Sequence, residues 1–260
     1  RHPPMSIPTP HSAALRGCFV TGTDTEVGKT RISAALVHAL AASGWRSAGF
    51  KPVAAGTELI DGVAVNDDVR ALRAASPLAL TDAQVGPCQL SRACAPHIAA
   101  AQEGRAIDRT ELLHAAHHLA AHADVLVVEG VGGWLVPLGP NWDSADLAAD
   151  LALPVVLVVG LRLGCINHAR LSAQAVRASG LRLAGWVANC TSPAPMPWES
   201  DNLATLREWL LRQHDAPCLG VVPWLADPSP AAIAAHLDTR PLHRLIGPPP
   251  AQSDPAPLGA

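Results

Sequence analysis

The strongest constraint on this chain is a short apolar run, Cys18–Gly22, that feeds into Gly22-Thr23-Asp24-Thr25-Glu26-Val27-Gly28-Lys29-Thr30 and at once into a helical pattern over Gly28–Ser43. Between a strand and a helix, these residue types suit one ligand. Glycines let the backbone approach a phosphate group, free amides at the helix start attract its oxygens, a lysine neutralises β and γ charge, and a hydroxyl reaches magnesium. The string is a phosphate loop with five residues between its glycines, one more than the usual pattern. Binding of a nucleoside triphosphate is therefore expected.

A loop of this kind needs a parallel sheet behind it, and the rest of the chain supplies the strands. Ser47–Val53, Asp124–Glu129, Pro154–Gly160, Leu183–Asn189 and Cys218–Pro223 are short runs rich in Val, Leu and Ala, as strands buried on both faces should be. Helical patterns at Ser144–Leu151, Cys165–Ser179 and Leu203–Gln213 alternate with them. This predicts an α/β fold, a single-domain P-loop NTPase with a mostly parallel central sheet flanked by helices. The domain is expected over residues 17–238, between a flexible N-terminal tail (1–16) and a Pro-rich C-terminal tail (239–260). Glu58 to Arg109 is less regular and reads as an inserted helical excursion between two strands.

Charge and composition exclude several classes. The net charge of −3 gives no general attraction to nucleic acid or an anionic membrane. No apolar run reaches about 18 residues and the N-terminus lacks the apolar centre of a secretory signal, so a cytoplasmic location is expected. The six cysteines show neither C-x-x-C nor zinc spacing and read as reduced thiols. His114, His117, His118 and His122 have helical spacing that suits a metal, yet no carboxylate completes a set and the segment otherwise reads as a helix with a solvated face.

Of nineteen Lys and Arg residues, Lys29 and Lys51 are the two lysines. A guanidinium does not imitate a compact ammonium, so two lysines kept in an arginine-rich chain, each following a predicted strand, point to point-charge sites. A magnesium-nucleotide site also takes one or two carboxylates. Glu129 ends a strand and opens the glycine-rich turn Gly130-Val131-Gly132-Gly133, at the sheet edge where ligands bind. Asp68 is the second candidate, although Asp67 and Asp68 also suit an ordinary helix N-terminus.

Several strings together resemble the dethiobiotin synthetase family over about residues 18–237: the long phosphate loop, Gly49-Phe50-Lys51-Pro52-Val53, Pro96-His97-Ile98-Ala99-Ala100, Glu129 to Trp134, Leu163-Gly164-Cys165-Ile166-Asn167-His168, Gly185-Trp186-Val187-Ala188-Asn189 and Pro223-Trp224-Leu225. The resemblance implies ATP-dependent ring closure on 7,8-diaminopelargonate with CO2 or bicarbonate, with ATP and Mg2+ bound. By resemblance Lys51, Lys29 and Thr25 are catalytic, with Thr25 beside the substrate amines. Thr30, Asp68 and Glu129 would hold Mg2+. Glu26, Val27, Gly28, Arg31, Gly130, Val131 and Gly132 join them as nucleotide contacts, and Asn189, Cys190, Pro223, Trp224 and Leu225 would surround adenine. Ala55 is a substrate-side position. Gly164, Cys165 and Asn167 would bind the substrate carboxylate in the partner's active site, which implies a homodimer.

Three positions depart from the family pattern. Ala55 stands where a serine is common, Val131 where an alanine is, and Cys190 where an aspartate is. The main competing reading is a partitioning or positioning ATPase switch. Such proteins usually carry an extra lysine early in the loop, where Thr23 and Asp24 stand here, and a membrane-bound one needs a basic amphipathic terminal helix. An amidating ligase would need a glutamine-hydrolysing domain, and a dinucleotide oxidoreductase would need G-x-G-x-x-G after the first strand.

Overall fold

The computed structural model describes residues 14–250. The parts of the expected tails at 1–13 and 251–260 lie outside the described residues. Six strands form the central sheet: β1 (Gly17–Gly22), β2 (Ser47–Phe50), β3 (Val125–Glu129), β4 (Val155–Gly160), β5 (Leu183–Asn189) and β6 (Cys218–Val222). Their spatial order is β6-β5-β4-β1-β3-β2, and every neighbouring pair is parallel. The carboxyl ends sit nearly level, with Phe50 beside Val128, Val20 beside Glu129, and Asn189 between Gly160 and Val222.

The near-continuous apolar strands are explained by burial on both faces. Phe19, Leu126, Val128, Leu157 and Trp186 pack on one face, where the helix Cys165–Ala178 adds Ala169, Ala173 and Val176. Cys18, Val20, Val127, Val156 and Val158 pack on the other, where α1 (Lys29–Ala42) adds Ile32, Ala35, Leu36 and Leu40. Period-2 alternation sends successive residues of one strand to opposite cores. Because β1 lies between β3 and β4, the chain leaves β1 first to one side and later to the other. That reversal makes the carboxyl end of β1 the switch point at which such sheets bind ligands.

Local chemistry corrects four sequence expectations. Ser47–Val53 is not one strand: Pro52, which has no amide hydrogen, follows Lys51, and Val53–Ala55 pairs instead with Cys88–Leu90 in a small parallel sheet. The excursion after Glu58 opens with an antiparallel hairpin, Glu58–Ile60 against Val63–Val65, turned by Asp61 and Gly62 at positive φ. It continues into α2 (Asp67–Ala75), whose first turn Asn66 caps by accepting from the Val69 amide. The last long helix begins at Glu199 rather than Leu203, after Trp198 in the left-handed conformation. Within the expected C-terminal tail, Arg240–Ile246 is a helix whose Leu242 is buried in the core beside α1.

Candidate functional site

At the carboxyl edge of the sheet the strand ends surround a cleft of about 920 Å³. The loop after β1 forms its floor. Gly28 enters α1 at φ +91, and a Cβ there would meet Asn189 Nδ2 at 2.2 Å. Asn189, at the end of β5, donates from Nδ2 to the Val27 carbonyl at 2.9 Å and so ties the loop to the sheet. Because α1 has no side-chain cap, its first amides are left for an anion. The Lys29 ammonium donates to the Asp24 carbonyl at 2.8 Å. Burial, then the nearby Lys51 charge, lower its pKa to about 8 against the pull of Glu129, Asp68 and Asp24.

Behind the loop lies a charge cluster assembled from four parts of the chain, with Lys51 and Glu129 buried and Asp68 and Thr30 partly exposed. Lys51, just past β2, places Nζ 2.6 Å from Glu129 Oε1, 3.0 Å from Asp68 Oδ2 and 3.1 Å from the Gly130 carbonyl. Burial works against the Lys51 charge, but attraction and hydrogen bonds from Glu129 and Asp68 outweigh it and hold the pKa above its ordinary value. Burial likewise works against the Asp68 carboxylate, and Lys51 with the Thr30 hydroxyl outweighs it and lowers that pKa. Thr30 Oγ1 lies 2.7 Å from Asp68 Oδ1 and 2.9 Å from Glu129 Oε1. A hydroxyl has one proton to share between those two oxygens. Glu129 Oε2 is buried with no hydrogen-bond partner.

These hard oxygens fit magnesium. Two carboxylates and a hydroxyl converge, one carboxylate oxygen is orphaned, and the phosphate loop lies alongside, which is the donor set that Mg2+ takes beside nucleotide phosphates. The parts that ATP with Mg2+ requires are present in one cleft. Among the described residues no group of three or more His, Cys, Asp or Glu side chains has metal-binding geometry. At the end of the helix Arg109–Ala120 the histidine spacing gives a surface contact, with His122, just past the helix, placing Nδ1 3.0 Å from the His118 carbonyl.

Most of the expected site residues meet here. Thr25, Glu26, Gly28, Lys29, Thr30, Arg31, Lys51, Ala55, Asp68, Glu129, Val131, Gly132 and Asn189 line the cleft. Gly132 has φ +61, and a Cβ on it would lie 3.7 Å from Thr25 Oγ1, so the glycine-rich turn borders Thr25. Others stand apart from the wall. The Val27 side chain is buried in the core beneath the loop, and Gly130 packs against Phe19 while its carbonyl serves Lys51. Cys190 and Pro223 to Leu225 follow adjacent strand ends, joined by the Cys190 amide donating to the Val222 carbonyl at 2.9 Å, and do not border this cleft. Gly164, Cys165 and Asn167 also lie outside it: Asn167 is exposed and Cys165 is buried.

The cleft also has walls that the sequence reading missed. Ala93 to Pro96 close one side, with Pro96 at the first turn of the helix Pro96–Gln102, and Thr191 and Val136 close others. Small residues in a loop carry no chemical signal; proline at a helix start was the available cue. An ion pair between Arg162 and Asp24 was likewise missed.

Comparison with known proteins agrees with this architecture. The MinC:MinD cell division protein complex of Aquifex aeolicus superposes with a TM-score of 0.51 at 16% identity, covering 93% of this chain and 98% of that one. The MinD cell division protein of Aquifex aeolicus gives 0.50 at 14% identity, over 88% and 96%. At such identities the likeness is one of fold. No helix among the described residues is long and apolar enough to cross a membrane. The family model described as an AAA domain matches residues 16–232, nearly the whole of the described chain, and together with the phosphate loop at the head of a parallel sheet it shows that this chain belongs to that family of P-loop NTPases.

Proposed function

We propose that this chain is an ATP-dependent cyclo-ligase that forms dethiobiotin from 7,8-diaminopelargonate and CO2. The observation that carries the reading is Lys51, a second buried ammonium in the phosphate-loop cleft, beside Glu129 and Asp68. Phosphoryl transfer to an anionic acceptor brings a further negative charge that needs its own cation, and here the second ammonium stands past β2, outside the loop, in which Thr23 and Asp24 occupy the positions of a partitioning ATPase's extra lysine.

The reaction begins as one substrate amine takes CO2 and releases a proton, giving a carbamate. A carbamate oxygen then attacks the γ-phosphorus and ADP leaves. Finally the second amine attacks the carbamate carbon, phosphate departs with the C–O bond broken, the amine releases a proton and the cyclic urea closes. None of these steps requires a protein nucleophile, so the residues position groups and balance charge. Lys29 faces phosphate charge from the loop, Lys51 faces the carbamate and γ-phosphate, and Thr25 borders the amines. Mg2+, held by Thr30, Asp68 and Glu129, supplies neutralisation of phosphate charge when bound. Asn189 on the cleft wall leads to Cys190 and Pro223 to Leu225 beyond the cleft's edge, and the base extends over that edge. Gly164, Cys165 and Asn167, outside their own subunit's cleft, serve the substrate carboxylate of a second copy in a homodimer.

The test supplies purified protein with ATP, Mg2+, bicarbonate and 7,8-diaminopelargonate and follows products by mass spectrometry. Dethiobiotin, ADP and phosphate in equal amounts support the reading. ATP hydrolysis that ignores the diamine and responds to lipid or DNA overturns it in favour of a partitioning-type switch, the function of cell division named for the MinD proteins.

A further inference from the structure

We propose that Arg162 is a positioning residue for the phosphate loop, acting through Asp24 on Lys29. Asp24 sits in the stretch between Gly22 and Gly28 that is one residue longer than usual, and both of its carboxylate oxygens and its backbone carbonyl are engaged. Oδ1 accepts the Thr25 amide at 2.8 Å, Oδ2 pairs with Arg162 Nη2, and the backbone carbonyl accepts Lys29 Nζ at 2.8 Å. One residue thus joins a loop amide, the loop lysine and an arginine 138 positions further along the chain.

Arg162 is itself well anchored. It follows β4 by one residue after Leu161, whose amide donates to the Asn189 carbonyl at 2.9 Å, while the Thr23 amide donates to the Val158 carbonyl on the same strand at 2.9 Å. The end of β4 therefore holds the loop twice, once through backbone at Thr23 and once through the Arg162 side chain at Asp24. Lys29 runs close over Gly22, where a Cβ would lie 3.1 Å from its Cδ, so a shift of the Asp24 carbonyl moves the ammonium with it. The backbone amide of Thr25, then Arg162, favour the charged form of Asp24, against slight burial, and its pKa is lowered.

This brace is not a stability device. The two side chains are 48% and 49% exposed, and exposed ion pairs contribute little to folding. Arg162 grips the residue whose carbonyl holds Lys29, and this gives the pair a role in geometry instead. The inference rests on the nucleotide part of the proposed function and not on the ring closure.

The test measures ATP affinity by calorimetry in the presence of Mg2+, beside melting temperature, for Arg162→Ala, Arg162→Lys, Asp24→Asn and the double variant Arg162→Ala with Asp24→Asn. Asp24→Asn retains an acceptor for the Thr25 amide and removes the charge. Arg162→Ala and Asp24→Asn should each weaken ATP by about tenfold at nearly unchanged melting temperature, and the double variant should be no weaker than either, because both break one connection. Arg162→Lys should recover most of the affinity. Unchanged affinity in Arg162→Ala, additive losses, or a fall in affinity that only tracks melting temperature overturns the brace. If the unaltered protein binds no ATP, the nucleotide reading falls and the brace with it; if it binds ATP but forms no dethiobiotin, only the ligase reading falls.

Discussion

Lys51 Nζ and Glu129 Oε1 lie 2.6 Å apart, both side chains almost wholly withdrawn from solvent, at the ends of strands that pair along the sheet. Asp68 reaches the same ammonium from α2 at 3.0 Å. A buried carboxylate, Glu129, and a partly exposed one, Asp68, share one cation beside the phosphate loop. Such a cluster holds its charges only because each has a partner, and this makes its response to substitution specific.

Lys51→Ala leaves Glu129 and Asp68 uncompensated and should lower stability by about 3–5 kcal/mol, measured by denaturant unfolding. Added Mg2+ should recover part of that loss, because the same oxygens are then neutralised. Lys51→Arg keeps the charge but replaces a point with a fork, so turnover should fall by about a hundredfold or more. Near-normal turnover in Lys51→Arg removes this residue from the mechanism.

Lys29 has a pKa lowered to about 8 by burial first and Lys51 next. Phosphate binds the protonated amine better, so binding raises that pKa and affinity for ATP should be full below about 8 and decline as pH rises through it. Calorimetric titrations across this range give the profile. Affinity that stays level well above the lysine's pKa contradicts the assignment.

Gly28→Ala combines a positive φ with a Cβ 2.2 Å from Asn189 Nδ2. Unfolding experiments should show a loss of about 1–3 kcal/mol from backbone strain, with an additional loss of nucleotide affinity as Asn189 is displaced. Removing the amide in Asn189→Ala should relieve the contact but not the strain, so the paired substitution remains less stable than Asn189→Ala alone.

Ala55→Ser restores a hydroxyl at a position on the cleft wall. Substrate binding should tighten by about 0.5–1.5 kcal/mol with turnover similar, read as a change in KM at constant kcat. A weaker or unaltered KM means that another group already serves the substrate there.

Subunits carrying Lys51→Ala, mixed with subunits carrying Asn167→Ala, should regain activity that neither has alone. Asn167 is exposed beside Leu163, which is 94% exposed, and lies outside its own cleft. In a shared-site dimer one of the two mixed sites carries both lesions and the other neither. Absence of complementation, or an active monomer in sedimentation, removes the shared site.

Much of this was legible in the residues themselves. The strand over Leu183–Asn189 and the helix over Ser144–Leu151 follow from apolar periodicity, and Lys29, Thr30 and Glu129 were marked by residue type at strand ends. Local patterns state which side chains are buried and where the chain turns, because burial and backbone conformation act over a few residues. They do not state which distant parts meet. Thr30 reaches Asp68 and Glu129, 38 and 99 residues away, only because β3 inserts between β1 and β2 and α2 packs beside α1. The hairpin after Glu58 and the helix at Arg240 carry too short a period to announce themselves, and Asp24 and Arg162 look like ordinary surface charges until β4 sets them side by side. Residue type thus determined the chemistry available to this chain, whereas the lateral order of its strands, decided by packing both faces of one sheet, determined which groups act together.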